Sequence, residues 1–441
     1  MKHFMSVAAL ILLTAALAPA LTLEEAVNLA IKNNDSIQQQ RLMLESKRYT
    51  KYSSLAAFSP SAGLSFGYND ASIYDSAKPT PVPGVSPSLD GSSKESNFAL
   101  TLGFNLFNGF ADWYAFNLAG ANVDMQRYSS EGNRQDIILA TKSAFISFLN
   151  SRSQLSVAKE TLTLLEAQKK IAEVSYNVGQ FSRADVLQVD VQLASTQLDF
   201  LNAQIAMKLA RQQLERYIGR VINAGEEVVE VKVADSYPIP SMQELEQMLE
   251  DNRSEMRYIK SAHEAAGYMK NMSLSGFLPK FNVGVSFGWY GDDTDAFGGR
   301  EGSYDSNRVL SLTATWNIFQ GFYNISNYMS NKYNTLAAAH AVSDIRKALR
   351  LQLSGAYEQY HSAREMVAVA KIGVEHAREN YRVTESRYEN SEATTTDLLN
   401  ASVALNRALN SLSAANYAII TSVAQIERAV ETQLLWLDAI N

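Results

Sequence analysis

The chain has 441 residues, a formal net charge of −7, a sequence pI near 5.5 and no cysteine. The acidic balance offers no basic surface for nucleic acid. Without cysteine the chain has no disulfide framework, no thiolate nucleophile and no N-terminal lipid on a cysteine. Only nine prolines, with abundant alanine, leucine, glutamine and serine, favour long helices over several small globular domains.

The first twenty residues have the pattern of a secretory signal peptide. A basic start precedes an apolar run over residues 4–17 and a small-residue triplet at 18–20. The apolar core is too short for a transmembrane helix, and no later segment has about 18 consecutive apolar residues. We therefore expect residues 1–20 to be a signal peptide and the mature protein to leave the inner membrane.

The mature chain is a tandem duplication. Adding 219 carries Phe58 onto Phe277, and adding 212 carries Phe104 onto Trp316 and then holds without a gap to the end of each half. Each repeat is predicted to hold a helix, two strands and a long helical hairpin. The repeats are residues 21–219, with strands near 62–69 and 97–107, and residues 241–431, with strands near 281–290 and 309–319. Residues 220–240 are predicted to form a linker and small equatorial segment, and residues 432–441 a C-terminal segment.

The strands are predicted from a strict alternation of apolar and small or polar residues, as at Phe98, Leu100 and Leu102. Each run of about ten residues is long enough to cross a bilayer as a tilted strand. A sheet with one face on a soluble core has the same alternation. Aromatic residues at the strand ends and long polar loops at 70–96 and 291–308 favour the membrane interpretation.

Four strands do not close a barrel, and an open edge in hydrocarbon leaves backbone groups unsatisfied. The chain must therefore oligomerise to span a membrane. Two copies would give eight strands and a filled interior, whereas three would give twelve and leave a lumen.

The helices are predicted from apolar and small residues spaced by four and three, the pattern of coiled-coil seams. The first helix of repeat one is expected near 23–57. The long helices are expected near 111–177 and 323–389, where about 1.5 Å per residue gives a length of roughly 100 Å. Shorter helices return from each turn.

Signal peptide, paired strands, long hairpins and duplication together resemble the TolC-like outer-membrane efflux family. The clearest local match is Tyr176 to Leu187 (YNVGQFSRADVL), which is similar to the family's turn at the periplasmic tip of a hairpin. The resemblance implies an all-α coiled-coil barrel plus a transmembrane β-barrel. It implies four strands per protomer, a twelve-stranded homotrimeric barrel in outer-membrane lipid and periplasmic helical hairpins. The implied partners are a periplasmic adaptor (membrane fusion) protein and an inner-membrane pump.

Two sets of tip residues follow from the resemblance. The periplasmic constriction would be formed by Tyr388, Asp397 and Asn400, where Asn400 replaces a second acidic residue and Ala393 a basic one. The simpler hypothesis is that an aspartate near a helix N-terminus only compensates the helix dipole. The hairpin-tip and adaptor contacts would be Tyr176, Gly179, Ser182, Asp185, Ser391 and Thr394. Gly179 is predicted to end the long helix and Ser182 to cap the next one.

No enzyme is predicted. The five histidines have no paired ligand spacing, and no glycine-rich phosphate loop is present in the sequence, so we expect no catalytic residue, cofactor or metal. The predicted function is a passive outer-membrane exit duct for small molecules. The alternatives are the outer-membrane duct of a type I protein secretion system, or a structural periplasmic coiled-coil protein that conducts nothing.

Overall fold

The structure is a computed structural model that describes residues 21–73, 91–223, 226–231, 237–299, 305–390 and 392–434. The predicted signal peptide and Ser391 lie outside these residues. None of the helices within the described ranges is long and apolar enough to cross a membrane.

Eight α-helices account for most of the described chain. They are α1 (Leu23–Asn33), α2 (Asp35–Ser54), α3 (Ala111–Asn177), α4 (Arg183–Ile218), α5 (Met242–Asn252), α6 (Ser254–Ser273), α7 (Tyr323–Glu389) and α8 (Thr395–Val430). Short 3-10 turns, Leu55–Phe58 and Leu274–Phe277, follow α2 and α6. Helices α3 and α7 have 67 residues each, and α4 and α8 have 36 each.

Four strands form one antiparallel sheet in chain order. They are β1 (Ser61–Ile73), β2 (Gly91–Asn108), β3 (Lys280–Asp292) and β4 (Ser306–Thr315). Across β2 and β3, Phe98 lies opposite Trp289 and Leu100 opposite Phe287, so one face of the sheet is apolar. The opposite face pairs Gly103 with Gly284 and Asn105 with Asn282. The outer edges of β1 and β4 have no strand neighbour in this sheet.

The element boundaries reproduce the duplication. Shifting α1, α2 and β1 by 219 residues gives the bounds of α5, α6 and β3, and shifting α3 and α4 by 212 gives those of α7 and α8. The tandem duplication is therefore confirmed in the fold as well as in the sequence.

The continuous first helix predicted over 23–57 is wrong. The chain breaks between α1 and α2 at Asn34, whose backbone is extended (φ −70°, ψ 124°) and whose side-chain oxygen accepts from the Ser36 N–H at 3.0 Å. The neighbouring Asn33 donates from Nδ2 to the Ile218 carbonyl, 3.2 Å away. Asparagine side chains favour such local bonds over a place inside a helix, which explains the break at Asn34. The bond from Asn33 satisfies a backbone carbonyl at the end of α4.

The predicted strand ends also differ from the structure. The fourth strand was expected to reach residue 319 but ends at Thr315, and the second begins at Gly91 instead of 97. Strand β4 has only one neighbour, and its last residue is the one that pairs with Lys280 at the start of β3. Strand β2 starts earlier than predicted because it pairs with β1 as far as Gly91, which lies opposite Ile73.

The chain divides into two compact units that do not coincide with the sequence repeats. One unit contains the four strands and consists of the described residues within 42–129 and 255–345, and the other consists of the described residues within 21–41, 130–254 and 346–434. Each unit combines segments of both repeats, because the strands of both repeats pair in one sheet. The second unit holds a buried core that includes Phe145, Leu149, Leu214, Leu353, Ile419 and Ile420.

Candidate functional site at the hairpin tips

Both hairpins begin their returning helix with the same capping box. At the first tip, the Ser182 N–H and Oγ–H donate to Asp185 Oδ2 at 2.9 and 2.7 Å, and the Asp185 N–H donates back to Ser182 Oγ at 3.4 Å. At the second, the Thr394 N–H and Oγ1–H donate to Asp397 Oδ2 at 3.0 and 2.7 Å, and the Asp397 N–H returns a bond of 3.2 Å. These bonds fix the first turn of α4 and of α8.

The capping bonds also set the ionisation of the two aspartates. Hydrogen bonds from the Ser182 hydroxyl and backbone lower the pKa of Asp185, and those from Thr394 lower the pKa of Asp397. The Asp397 side chain is exposed, and Oδ2 accepts both capping bonds, which leaves Oδ1 open to solvent or ions among the described contacts. Asp397 is therefore a cap and, in addition, an ionised carboxylate presented to solvent.

The two turns close with equivalent backbone bonds. The Gln180 N–H donates to the Ser175 carbonyl at 2.9 Å, and the Glu392 N–H donates to the Arg387 carbonyl at 2.7 Å. At the first tip Gly179 adopts a left-handed backbone (φ 81°), and a Cβ added there would meet nothing within 4 Å. Gly179 thus ends α3 as predicted, and Ser182 is the N-cap of α4.

An aromatic contact joins the two tips. The rings of Phe181 and Tyr388 lie 5.4 Å apart between centroids, and Tyr388 is only 7% exposed. Burial raises the pKa of Tyr388, and its hydroxyl interacts with the side chain of Thr395, which also contacts Asp185. Thr395 is itself buried at the start of α8. One hydroxyl therefore links an aspartate of the first hairpin to a tyrosine of the second.

Further contacts continue this junction between the hairpins. Thr396 donates to Gln188 Oε1 at 3.1 Å, and Gln168 donates from Nε2 to the Tyr381 hydroxyl at 3.3 Å. Beneath them lies an apolar cluster of Leu165, Ala172, Val189 and Leu399, with Phe181, Val186 and Leu193 packed against it. The cross-hairpin partners Phe181, Gln188 and Thr395 could not be found from the sequence, because nothing in their own spacing shows which residues of the other hairpin they meet.

The remaining predicted tip residues lie apart from this junction. Tyr176 is 44% exposed at the end of α3. Asn400 is exposed one turn after Asp397, and Ala393 is partly exposed in the second turn. The structure thus places Asp185, Tyr388, Thr394 and Asp397 at the tips. Within one protomer, however, Tyr388 is buried against Phe181.

A second polar cluster lies at the far end of α8 and was missed by sequence analysis. Lys142 lies 2.5 Å from Glu427, and Arg428 forms ion pairs with Asp136 and Glu431 at 2.7 and 2.8 Å. Burial raises the pKa of Glu427. Two of these pairs join α3 to α8 and the third lies at the end of α8, so each group has a partner and the arrangement is that of a structural ion-pair network. Within the described residues, no group of three or more His, Asp or Glu side chains is arranged to hold a metal ion.

Comparisons of the sequence and of the fold with known proteins agree with each other. The family described as "Outer membrane efflux protein" matches residues 26–220 and 245–431, that is, both repeats. The alkaline protease secretion protein AprF of Pseudomonas aeruginosa is 22% identical over 417 residues, covering 92% of this chain and 84% of that protein. The outer membrane protein TolC of Escherichia coli is 21% identical over 351 residues, covering 77% and 70%. The Campylobacter jejuni CmeC outer membrane channel superposes with a TM-score of 0.79 at 16% identity, covering 92% and 85%.

Proposed function

The chain belongs to the outer membrane efflux protein family, and from this we propose that it is the exit duct for small toxic molecules in a Gram-negative export system. Membership of that family makes it an outer-membrane channel protein of the efflux or secretion type, with no enzymatic role. The match over both repeats is the observation that carries the assignment, because it covers the strands and both hairpins together.

The working form is a homotrimer whose twelve strands span the outer membrane, with the helical part in the periplasm. The sheet supports this, because its apolar face needs lipid and its two outer edges need partners. Size-exclusion chromatography with light scattering of the purified mature protein should give the mass of three chains. A dimer would mean eight strands, which leave too narrow an interior for a duct.

The hairpin tips form the periplasmic constriction, where the exposed Asp397 and Asn400 line it and Tyr388 packs behind them against Phe181. Asp397 supports this because its lowered pKa keeps it anionic at neutral pH. Three such carboxylates around an axis would favour cations. The tip surface with Tyr176, Gly179, Ser182, Asp185 and Thr394 is the proposed contact for a periplasmic adaptor bound to an inner-membrane pump. Ser391, which lies outside the described residues, is proposed as a further contact from its position in the sequence.

Protein secretion is the second candidate, favoured by the similarity to AprF, which is named as a secretion protein. A Gram-negative host that lacks its own duct can be given this protein together with the adaptor and pump of either a drug-efflux or a type I secretion system. The proposal predicts restored resistance to toxic compounds with the efflux partners. Restored export of a secreted protein, without restored resistance, would instead assign the protein to secretion.

A further inference from the structure

We propose that Arg387 sets how strongly the constriction prefers cations, because its guanidinium closes the second hairpin turn and places a positive charge near the carboxylate of Asp397. This inference rests on the proposed function, in which Asp397 lines the constriction. It goes further in assigning to that carboxylate a counter-charge from the same chain.

Arg387 contacts the turn through both its backbone and its side chain. It lies in the last turn of α7, and its carbonyl accepts a hydrogen bond from the Glu392 N–H at 2.7 Å. Its Nη2 donates to the Glu392 carbonyl at 3.2 Å. Because both bonds meet at Glu392, the guanidinium is held against the short turn that leads from α7 to Thr394 and the start of α8.

The first hairpin closes the equivalent turn without an arginine. The repeat shift of 212 makes Ser175 the counterpart of Arg387, and the Ser175 carbonyl accepts the Gln180 N–H at 2.9 Å. Gly179 supplies a left-handed residue in that turn, whereas the sequence has Ser391 at the equivalent position of the second hairpin. The side-chain bond of Arg387 is therefore a feature that the second tip has and the first tip lacks.

The charge of Arg387 acts on Asp397 without a direct bond between them. Hydrogen bonds from Thr394 are the main cause of the lowered pKa of Asp397, and the positive charge of Arg387 lowers that pKa further. The capping bonds to Asp397 Oδ2 come from Thr394, while the Arg387 guanidinium bonds the Glu392 carbonyl. The arginine therefore lies close enough to offset part of the negative potential of the carboxylate, but it does not cover the carboxylate.

The position of this charge decides what it does to ions. Both Arg387 and Asp397 are exposed, and dissolved salt screens exposed charges beyond about 8 Å at physiological ionic strength. A distant arginine would thus have little effect on ions at Asp397, whereas one held in the adjoining turn reduces the local negative potential. In a trimer, each of the carboxylates that attract cations would have such a counter-charge.

A simpler hypothesis is that Arg387 only stabilises the end of α7. Basic residues in the last turn of a helix interact favourably with the helix dipole, and they can bond the free carbonyls there. That role would affect the stability of the turn and leave ion selectivity unchanged. Ion selectivity is therefore the property that separates the two hypotheses.

Reversal potentials in a salt gradient test the proposal. Arg387→Gln removes the charge and keeps a side-chain amide donor, so the ratio of cation to anion permeability should rise by roughly twofold or more. Arg387→Lys keeps the charge and should give the wild-type ratio. Arg183→Gln is the matched control, since Arg183 is exposed at the start of α4 in the first hairpin, and it should leave the ratio unchanged.

A double variant tests whether Arg387 acts through Asp397. Arg387→Gln/Asp397→Asn should have the same permeability ratio as Asp397→Asn alone, because the carboxylate whose field the arginine offsets is gone. A rise in the ratio that persists in the double variant would overturn the proposal. An equal rise in Arg387→Gln and Arg183→Gln would also overturn it, since any positive charge at the tips would then have the same effect.

The outcomes separate the role of Arg387 from the proposed function. Channels whose cation preference falls in Asp397→Asn but is unchanged in Arg387→Gln would keep the constriction and refute the role of Arg387. A folded protein that conducts no ions in any of these forms would refute the proposed function, and the role of Arg387 with it.

Discussion

Phe181 and Tyr388 pack in a tilted arrangement with ring centroids 5.4 Å apart and an interplanar angle of 48°, and their contact joins the tip of one hairpin to the tip of the other. The two rings come from different repeats, so the contact has no counterpart within a single hairpin. Aromatic pairs of this kind contribute about 0.5–1.5 kcal/mol beyond the area that they bury. The pair therefore stabilises the arrangement of the tips in which Tyr388 is buried.

Removing this contact should favour separation of the tips. We expect Phe181→Ala to raise the single-channel conductance, because Tyr388 loses its packing partner and the tips separate at a lower free-energy cost. Val178→Ala is the matched control, since Val178 is 67% exposed in the same turn. Equal conductance of the two variants would show that the Phe181 contact does not restrict the tips.

The second prediction concerns Asp397 and the selectivity of the channel. Its pKa is lowered by the Thr394 hydrogen bonds, so the cation preference that Asp397 confers should be fully present at neutral pH and be lost only as pH falls through that lowered pKa. Asp397→Asn should abolish the pH dependence of cation selectivity, which is measured from the reversal potential in a salt gradient. The equivalent cap variant Asp185→Asn should retain it. If both variants behave like the wild type, Asp397 does not line the constriction.

The third prediction concerns the buried pair Lys142 and Glu427, whose side chains are 11% and 7% exposed. Lys142→Met should destabilise the protein by about 3–5 kcal/mol at neutral pH, because it leaves a buried carboxylate unpaired. Burial already raises the pKa of Glu427, and loss of the lysine raises it further.

The sign of the pH effect follows from that raised pKa. At a pH below that pKa, Glu427 is protonated and neutral. The loss of stability caused by Lys142→Met should therefore shrink as the solution is acidified. Adding Glu427→Gln to Lys142→Met should recover part of the stability at neutral pH. Denaturant unfolding followed by circular dichroism at two pH values measures both effects. A loss that is the same at both pH values would contradict the assignment of the cost to the buried charge.

A fourth prediction compares two glycines with left-handed backbones. Gly219 ends α4 with φ 69°, and a Cβ there would lie 2.7 Å from the Cβ of Asn33, whereas Gly179 has φ 81° and open space. Gly179→Ala should therefore cost only the backbone strain, about 1–2 kcal/mol. Gly219→Ala should cost clearly more in the same unfolding measurement, because Asn33 must also move. Equal costs would show that the contact between α1 and the end of α4 is loose.

The long elements could be predicted from the sequence because their signals are local or repeated. Alternation located the strands, and the duplication aligned α3 with α7 and α4 with α8. The helix break at Asn34 could not be located in this way, because it depends on Asn33 bonding to Ile218, 185 positions later in the chain. The end of β4 at Thr315 was mispredicted because alternation continues past it, while strand structure also needs a neighbour.

The candidate site was predictable only in part, for a similar reason. The capping boxes at Ser182 and Thr394 follow from residues three positions apart and are visible in the sequence. The contacts of Thr395 with Asp185 and Tyr388 depend on how two hairpins pack, which the spacing along one chain does not encode.

Ion conduction by the purified mature protein in a planar lipid bilayer is the decisive test of the channel. We expect discrete conductance steps from an oligomer of three chains, with a preference for cations that is lost in Asp397→Ala. If Asp397→Ala shows the same steps and the same cation preference, the protein is still a channel, but Asp397 does not line its constriction. A stable, folded trimer that inserts under no lipid or voltage condition and carries no current would contradict the assignment of the protein as an outer-membrane duct.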